Sequence, residues 1–431
     1  MNRAGVLFIY NLLLPIFFVI AFPGWLVKMW RRGGFGSGLR QRFAIYDEVK
    51  VRGGIYIHAV SVGEVLIALR LIEQWQKLDP EEKFLLVPTT STGHAVAVEK
   101  APAGVQVIYS PLDFPFLLNH CFSLFEPRLL VLIEAEAWPN LLNRAGKHGI
   151  PTAFANARLS ERSEARFKKF AALTKPIFSM MDLVLVQNDA DRSRFASLGI
   201  APERIEVSGS IKFDPTGSVP PARRDEFQLA LDGFGAGRQV VLVASTHTGE
   251  ELLIANEFLK LAGNPLLVVV PRHAERRGEI IKQLAEIGLK AVVRSRGEVA
   301  SGEKGEYLLA DTTGELKDWN AHADVVVVGK SFLGRGGQNP VEAISAGVPV
   351  VTGPHMRNFE PLVSELENTG ALRRLSSADE LKSCLSEILS SPEGYIPYLS
   401  SANEVLHSHE GATIKSVKAL QNIALTDPVN P

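Results

Sequence analysis

The stretch DPTGSVPPARRDEFQLALDGFGAGR, residues 214–238, decides the fold because it interrupts a regular series of strand and helix patterns. It contains a Pro-Pro pair, several glycines and one short helical segment, which is typical of a boundary between domains. We therefore predict an N-terminal anchor with a basic juxtamembrane segment over residues 1–45 and a first domain over 46–213. Residues 214–238 form the linker, and a second domain covers 239–431.

Strand patterns lie on both sides of this boundary and alternate with helix-length segments. In the first domain they begin near residues 54, 84, 105, 128, 151 and 182, and in the second near residues 239, 265, 290, 324 and 349. Their continuous apolar runs suit strands that are buried on both faces of a parallel sheet. The sequence therefore predicts an α/β protein with two doubly wound, Rossmann-like domains, whose ligands bind at the carboxyl ends of the strands.

Composition restricts the classes of function. The 431 residues include 46 Lys and Arg against 47 Asp and Glu, a net charge of -1. No broad basic field is available for phosphates, so a nucleic-acid partner is disfavoured. The two cysteines, Cys121 and Cys384, lie far apart, and the sequence contains no H-E-x-x-H motif. We predict chemistry that needs neither a metal nor a cofactor.

The N-terminus predicts attachment to a membrane. Residues 5–27 carry no charge and are long enough for a helix to cross the roughly 30 Å hydrocarbon core of a bilayer. The basic residues that follow are Lys28, Arg31, Arg32, Arg40 and Arg42. The positive-inside rule then places both domains in the cytoplasm. A cleaved signal peptide is the rival interpretation, although no A-x-A site ends the run. A hairpin or a helix lying in the interface stays open, because the run contains two prolines.

Acidic residues follow two strand patterns of the first domain. Glu64 comes after Gly63, which permits a tight turn, and lies near the start of a helix, where it could take a proton from an acceptor hydroxyl. An acidic residue there more commonly just complements the helix dipole. Glu134 and Glu136 follow the fourth strand. If they are buried, their pKa values rise and one becomes a plausible acid, base or hydrogen-bond acceptor; a simple pair with an arginine is equally open.

Three arginines follow the fifth strand pattern. Arg158, Arg162 and Arg166 are spaced at i, i+4 and i+8, which places them on one face if the segment is helical. Such a face could bind anionic lipid or an anionic acceptor headgroup. More often it is a solvated surface.

Polar residues also end two strands of the second domain. Ser245, in STHTGE, could hold a phosphate with its hydroxyl and neighbouring N–H groups, although capping of the next helix is the commoner role. Arg272 and His273 end the following strand. Arg272 is a natural partner for a phosphate or carboxylate, and an interdomain salt bridge explains it equally well.

Residues 329–342, GKSFLGRGGQNPVE, are the richest candidate segment. Gly336 and Gly337 let the backbone approach a ligand closely, and Glu342 falls in the first turn of the next helix, where it could bind ribose hydroxyls. A Walker A motif is excluded because Asp324 occupies its first glycine position. The glycine spacing also differs from the Rossmann fingerprint, which disfavours an NAD enzyme.

In this order, the motifs resemble the 3-deoxy-D-manno-octulosonic acid (Kdo) transferases of lipopolysaccharide biosynthesis over nearly the whole chain. They are SVGE at 61–64, EAEAWPN at 134–140, NARLS at 156–160, GSIKFD at 209–214, STHTGE at 245–250, PRH at 271–273, DTTGE at 311–315 and GGQNPVE at 336–342. Each motif alone is a weak indicator of the family. Their joint order and spacing are specific to it. Gln338 departs from the pattern, since the family usually has His there.

The resemblance implies a GT-B fold anchored in the inner membrane, with a lipid A precursor bound by the first domain and CMP-Kdo by the second. It also implies an inverting transfer in which Glu64 is the base and Glu134 or Glu136 assists. The acceptor-binding residues are then Ser61, Gly63, Arg158 and Arg162. The donor-binding residues are Lys212, Ser245, Arg272, His273, Ser331, Gly336, Gly337, Asn339 and Glu342.

Other interpretations remain open. A GT-B transferase that uses a UDP-sugar lacks the motifs at 61–64 and 134–140, and a nucleotide-sugar epimerase needs no membrane anchor. A catalytically inactive, membrane-attached binding protein differs in class, and the intact Glu64, Arg272 and Glu342 disfavour it.

Overall fold

A computed structural model describes residues 1–32, 37–214, 223–360 and 362–425. The chain divides into two compact units, Met1–Thr216 with His409–Pro431, and Gly217–Ser408. In the described residues, each unit contains one parallel seven-stranded sheet with helices between its strands. This confirms the α/β class and the two doubly wound halves.

The first sheet has the order β3-β2-β1-β4-β5-β6-β7. Its strands are β1 (Ile55–Ala59), β2 (Phe84–Pro88), β3 (Val105–Val107), β4 (Leu129–Ile133), β5 (Thr152–Ala157), β6 (Leu183–Val186) and β7 (Ile205–Val207). Every residue of β1 and β4 is buried. Ile55 and Ile57 contribute to one apolar core, whereas Tyr56 between them contributes to the other. Two covered faces are the reason that these strands have continuous apolar sequences.

Helices surround this sheet. They are α1 (Arg3–Arg32), α2 (Ser37–Arg42), α3 (Val62–Leu78), α4 (Ser91–Lys100), α5 (Pro115–Phe125), α6 (Pro139–Lys147), α7 (Glu161–Lys169), α8 (Ala171–Phe178) and α9 (Asp189–Ser197).

The second sheet has the order β10-β11-β9-β8-β12-β13-β14. Its strands are β8 (Val240–Thr246), β9 (Leu266–Pro271), β10 (Lys290–Val293), β11 (Glu306–Leu309), β12 (Val325–Val328), β13 (Val350–Thr352) and β14 (Leu372–Arg374). The remaining helices of the chain are α10 (Asp225–Asp232), α11 (Glu250–Phe258), α12 (Arg277–Ala285), α13 (Leu316–Ala321), α14 (Val341–Ser345), α15 (Leu362–Thr369), α16 (Leu381–Ser390), α17 (Ile396–His407) and α18 (Ala412–Leu425).

The strand patterns in the sequence correspond to eleven of these strands and miss β7, β11 and β14. Each missed strand has only three or four residues and carries a charged side chain, for example Glu206 in β7 and Glu306 in β11. A short apolar run with a charge in it gives too weak a pattern to distinguish from a loop.

The C-terminal helix α18 belongs to the first unit, whereas the sequence assigned all of residues 239–431 to the second domain. Val417 and Leu420 of α18 lie in one apolar core of the first sheet. The Asp214 carboxylate accepts hydrogen bonds from the N–H of Gly411 at 3.0 Å and from the N–H and hydroxyl of Thr413 at 2.7 and 2.6 Å. These contacts fix the start of the helix. In the predicted linker, residues 215–222 lie outside the described part of the chain.

The N-terminal apolar run forms one continuous helix, α1, rather than a hairpin. Its segment Arg3–Gly24 is long and apolar enough to cross a membrane by length and composition. Large apolar side chains such as Phe8, Phe17 and Ile20 are exposed on it. Val6, by contrast, is buried in the first unit, so one face of the helix packs against the protein.

Two of the predicted juxtamembrane basic residues, Arg40 and Arg42, have contacts within the protein. Arg40 forms a surface ion pair with Asp47 at 3.1 Å. Arg42 is buried; its guanidinium donates a hydrogen bond to the carbonyl of Thr89 at 2.6 Å and lies over the ring of Tyr109. Arg42 therefore helps to build the first unit. The side chains of Lys28, Arg31 and Arg32 lie outside what the structure describes.

Candidate active site

Glu64 lies in the first turn of α3, directly after β1, and is almost fully buried. Its carboxylate accepts hydrogen bonds from the N–H of Val60 at 2.8 Å, the N–H of Ser61 at 3.2 Å and the Ser61 hydroxyl at 2.8 Å. Ser61 is the N-cap residue and completes a capping box with Glu64. A carboxylate offers about four acceptor positions. Three are used by these contacts within the described residues, which leaves one acceptor position, on Oε2.

Gly63 permits a tight turn, but the structure does not use this freedom. Gly63 lies inside α3, and its φ is not positive. A Cβ at this position would have only the Ser61 hydroxyl oxygen within 4 Å, at 3.8 Å. The backbone therefore does not require glycine, and the absent side chain leaves open space beside the capping box.

Glu134 and Glu136 follow β4, whose carboxyl end lies beside that of β1 in the sheet. Glu134 has a φ of 62°. Burial raises the pKa of both carboxyl groups, and the negative charge of Glu64 raises them further. The effect of Glu64 on both carboxyl groups shows that the structure groups the three predicted acidic residues. It also makes each of Glu134 and Glu136 easier to protonate than an exposed glutamate.

Two cations compensate this acidic cluster. The charges of Arg158 and Lys212 lower the pKa of Glu134, opposing the effect of burial. Burial in turn lowers the pKa of the Lys212 ammonium group, and the nearby Arg158 lowers it further. Lys212 lies in the first unit, whereas the other predicted donor-binding residues lie in the second.

Asn156 brings Lys212 into this group, and its role was not predicted. Asn156 is buried with a φ of 56°, and its side-chain oxygen accepts a hydrogen bond from the N–H of Ile211 at 2.9 Å. Ile211 precedes Lys212, and β5 carries Asn156 to the same edge of the sheet as Glu134. The signal in the sequence was the NARLS motif at 156–160, in which Asn156 is the first residue.

The prediction of three arginines on one helical face is wrong. Ser160 caps α7, which begins at Glu161, so Arg158 precedes the helix. Arg158 is half-buried and lines a cavity together with Arg166 and Glu134. Arg162 is exposed on α7 and does not line that cavity.

In the second unit, Glu250 organises the glycine-rich segment. It is fully buried at the start of α11. One carboxylate oxygen accepts hydrogen bonds from the N–H of His247 at 3.1 Å and of Lys330 at 2.5 Å. The other accepts from Phe332 at 3.1 Å and from Leu333 at 3.4 Å. Glu250 thus joins the loops after β8 and β12. Sequence reasoning missed this role, although the residue closes the STHTGE motif.

Gly336 and Gly337 both require glycine. Their φ values are 112° and 74°. A Cβ on Gly336 would lie 2.4 Å from the Asn358 side-chain nitrogen, and one on Gly337 would lie 2.3 Å from the Met356 sulfur. The close contacts that exclude a side chain here are made with residues 355–358 of the protein itself. The approach of this backbone to a ligand stays a prediction. The following helix α14 has only five residues.

Ser245, His247 and His273 come together at the ends of β8 and β9. Ser245 has a φ of 57° and lies where the register of these strands shifts. The rings of His247 and His273 lie 5.9 Å apart, and the Gln338 side-chain nitrogen lies 3.3 Å from His247 Nε2. The residue that departs from the family pattern, Gln338, is thus inside the group. Arg272 is exposed and forms no salt bridge with any residue in the described ranges.

Three further predicted residues differ in accessibility. Ser331 is fully buried; its hydroxyl donates to the carbonyl of Val328 at 2.5 Å and accepts from the N–H of Gly353 at 2.8 Å. Ser331 therefore supports the loop through these buried hydrogen bonds to the main chain. Asn339 is exposed and Glu342 is half-buried, so both are accessible to a ligand.

Strained backbone conformations occur among the candidate residues of both units. Seven non-glycine residues of the described chain have a left-handed φ, and Glu134, Asn156, Ser245 and Lys330 are four of them. Such conformations cost on the order of 1–3 kcal/mol and concentrate at functional sites. Each of the four lies in or beside a motif singled out from the sequence.

Comparisons with known proteins identify close relatives. A family model described as 3-Deoxy-D-manno-octulosonic-acid transferase (kdotransferase) matches residues 37–215. The 3-deoxy-D-manno-octulosonic acid transferase of Haemophilus influenzae is 33% identical over 382 residues, covering 87% of this chain and 88% of that protein. The enzyme of the same name from Bordetella pertussis is 32% identical over 414 residues, covering 91% and 95%.

Solved structures resemble the chain in fold. The UDP-GlcNAc 2-epimerase from Neisseria meningitidis bound to UDP-GlcNAc has a TM-score of 0.53 at 12% identity, over 86% of this chain and 100% of that one. Anabaena HepE in complex with UDP has a TM-score of 0.52 at 14% identity, over 86% and 98%. At these identities the likeness shows the fold alone, and that fold is the GT-B type.

Proposed function

The chain belongs to the Kdo transferase family, and we propose that it transfers Kdo from CMP-Kdo to a hydroxyl of a lipid A precursor. Kdo transfer in lipopolysaccharide biosynthesis follows from family membership. The proposal adds the acceptor, inversion at the anomeric carbon and independence from a metal ion.

The observation that carries the proposal is the grouping of Glu64, Glu134 and Glu136 with Arg158 and Lys212 at one edge of the first sheet. A transferase needs a base for the acceptor hydroxyl, and Glu64 keeps one acceptor position for it. A binding protein has no need of a buried carboxylate, Glu64, whose charge raises the pKa of two neighbouring glutamates.

In the proposed step, the acceptor oxygen attacks the anomeric carbon of Kdo from the face opposite the CMP phosphate. The new C–O bond forms as the bond to the phosphate oxygen breaks, and the bonding electrons leave with CMP. The hydroxyl proton passes to Glu64. A single displacement of this kind inverts the anomeric centre. Glu134 and Glu136 hold the reacting sugars as hydrogen-bond acceptors in their ionised forms.

Cations replace a metal in this proposal. Lys212 pairs with the Kdo carboxylate or the departing phosphate, where positive charge stabilises the charge that develops in the transition state. Arg158 offsets the negative cluster and, with Arg162, attracts the acidic headgroup of the acceptor.

The donor is assigned to the second unit. Arg272 is exposed and suited to a phosphate, with His273 and Ser245 beside it at the ends of β8 and β9. Asn339 and Glu342 are accessible for the ribose. Ser331, Gly336 and Gly337 shape the loop, and its backbone contacts the nucleotide.

We also propose that α1 attaches the protein to the inner membrane with both units on the cytoplasmic side. The exposed apolar side chains of α1, such as Phe8 and Ile20, support attachment. Lipid A precursors are membrane amphiphiles, so an enzyme that uses them benefits from working at the bilayer surface.

The test is transfer from freshly made CMP-Kdo to a tetraacylated lipid A precursor in detergent, with EDTA present and CMP release monitored. We expect Kdo-modified lipid and one CMP per transfer. NMR of the product should show that the anomeric configuration is inverted relative to CMP-Kdo. Activity from UDP-sugars instead would move the chain to another GT-B activity. Loss of transfer with EDTA that returns with a divalent metal would overturn metal independence. No transfer from either donor class would favour the inactive binding protein.

A further inference from the structure

The first unit contains a cavity of about 540 Å³ between α1 on one side and α7 and α8 on the other. This volume lies in the roughly 300–1,000 Å³ range of small-molecule sites. The segment 134–137 also lines it, so the cavity adjoins the acidic cluster. Helix α1, proposed above only as a membrane attachment, therefore also bounds part of the proposed active site.

The lining has two kinds of chemistry. The apolar residues come mainly from α1 and α8 and include Ile9, Leu13, Leu173, Ile177 and Phe178. The polar residues come mainly from the loops and from α7 and include Glu134, Arg158, Ser160, Ser163 and Arg166. One apolar wall and one wall with two arginines match an amphiphile that has a hydrocarbon chain and an anionic headgroup.

Polar contacts hold α1 in place as a wall of this cavity. The Tyr10 hydroxyl donates a hydrogen bond to Asp113 at 2.9 Å. The side-chain amides of Asn11 and Asn140 exchange two hydrogen bonds, at 3.0 and 2.9 Å. Tethering alone does not require paired amides on an otherwise apolar helix. Their presence indicates a fixed position of α1 against the first unit.

The same contacts connect α1 to the acidic segment. The Asp113 carboxylate accepts hydrogen bonds from the N–H of Asn140 at 3.1 Å and of Leu141 at 2.8 Å, which fixes the first turn of α6. That turn begins three residues after Glu136. Helix α1, Asp113 and the segment with the two glutamates thus form one connected structure.

We propose that this cavity binds an acyl chain of the acceptor, with α1 as one wall and Arg158 and Arg166 near the anionic headgroup. The proposal rests on the proposed function, because it takes the acceptor to be a phosphorylated, acylated glycolipid. Helix α1 is then part of the substrate site as well as a membrane attachment. The residues of α1 then determine which acceptors bind, according to the acyl chains of those acceptors.

A matched pair of substitutions tests this. Leu13 and Leu12 are neighbours on α1, with exposures of 55% and 59%, but only Leu13 lines the cavity. Leu13→Trp places a large ring in the cavity, and Leu12→Trp adds the same apolar bulk outside it. Both variants are made in the full-length chain and compared with wild type in detergent micelles.

The readout is equilibrium binding of a tetraacylated lipid A precursor and of its fully deacylated derivative, without CMP-Kdo. Leu13→Trp should weaken binding of the acylated form about tenfold, the usual scale for a blocked apolar pocket. It should leave the deacylated form within about twofold, and Leu12→Trp should leave both within about twofold. Flotation with liposomes should be equal for both variants.

Equal weakening by both variants would assign α1 to contact with bulk lipid and overturn the proposal. So would unchanged binding in Leu13→Trp. Because binding is measured without the donor, this result is independent of catalysis. Failure of the proposed function would show as absent Kdo transfer in wild type, whatever the binding data.

Discussion

The two units place their candidate residues on the same kind of scaffold but use them differently. In the first unit, charged side chains gather at the ends of β1, β4 and β5, and their charges act on one another. In the second, the central feature is a loop of main chain, held by the buried Glu250 and by glycines with positive φ. The first region brings together charged side chains suited to proton and charge chemistry. The second holds a main-chain loop in a defined conformation.

This difference determines how each region responds to change. A side chain that reacts can be replaced with little effect on the fold, so its loss appears in turnover. A side chain that holds a loop is lost together with the loop's geometry, so its removal appears in ligand binding and in stability. Substitutions that separate turnover from binding therefore test the comparison.

The largest effect is expected for Glu64→Gln. Glutamine can still serve in the capping box with Ser61, so the fold should persist, but it cannot accept the acceptor proton. We expect turnover to fall by about 10²–10⁴-fold, the usual contribution of a general base, with little change in thermal stability. Single-turnover kinetics and thermal melting check this. An equal loss of turnover in Ser61→Ala would instead assign the effect to the capping box.

Glu250→Ala should have the next largest effect, and in the other unit. It removes the acceptor of four main-chain N–H groups, and hydrogen bonds to a charged group contribute about 1.5–3 kcal/mol each. We expect the KM for CMP-Kdo to rise at least about tenfold, with a smaller change for the acceptor. The control is Glu257→Ala. It also removes a buried carboxylate from α11, but this carboxylate pairs with the Lys260 side chain. Similar changes in both KM values would contradict separate roles for the two units.

The smallest effect is expected in the pH dependence of the activity that remains once the Lys212 charge is removed. The Lys212 charge lowers the pKa of Glu134, so Lys212→Met should raise that pKa and make the carboxyl group harder to ionise. If transfer needs the ionised form, the acidic limb of kcat/KM for the acceptor moves to higher pH, by about one unit. Lys147→Met, at the exposed end of α6, is the control. An unshifted limb would show that Glu134 does not set the acidic pH dependence.

Most of the fold could be predicted because buried parallel strands leave a strong local pattern. Ile55 and Ile57 pack in one core and Tyr56 in the other, so the run around them is apolar throughout. The return of α18 to the first unit could not be predicted. It depends on contacts between Asp214 and Thr413, which are 199 positions apart.

The candidate site divides in the same way. Glu64, Glu134 and Glu136 could be selected because they follow strand patterns, and parallel topology then brings them together. Asn156 and Glu250 were missed because their importance lies in hydrogen bonds to the main chain of distant loops, 55 and 80 or more positions away. The tight turn that Gly63 permits is not formed, because its backbone is ordinary helix.

The return of α18 makes the second unit an insertion within the first. The chain leaves the first sheet after Asp214 and comes back at His409, where the side-chain nitrogen Nδ1 accepts a hydrogen bond from the N–H of Ser210 at 3.2 Å. Because α18 shares a core with α3, the far end of the polypeptide supports the helix that carries Glu64. A fragment cut after residue 214 would lose that support. Isolating the first unit for study would require joining two separated segments of the gene.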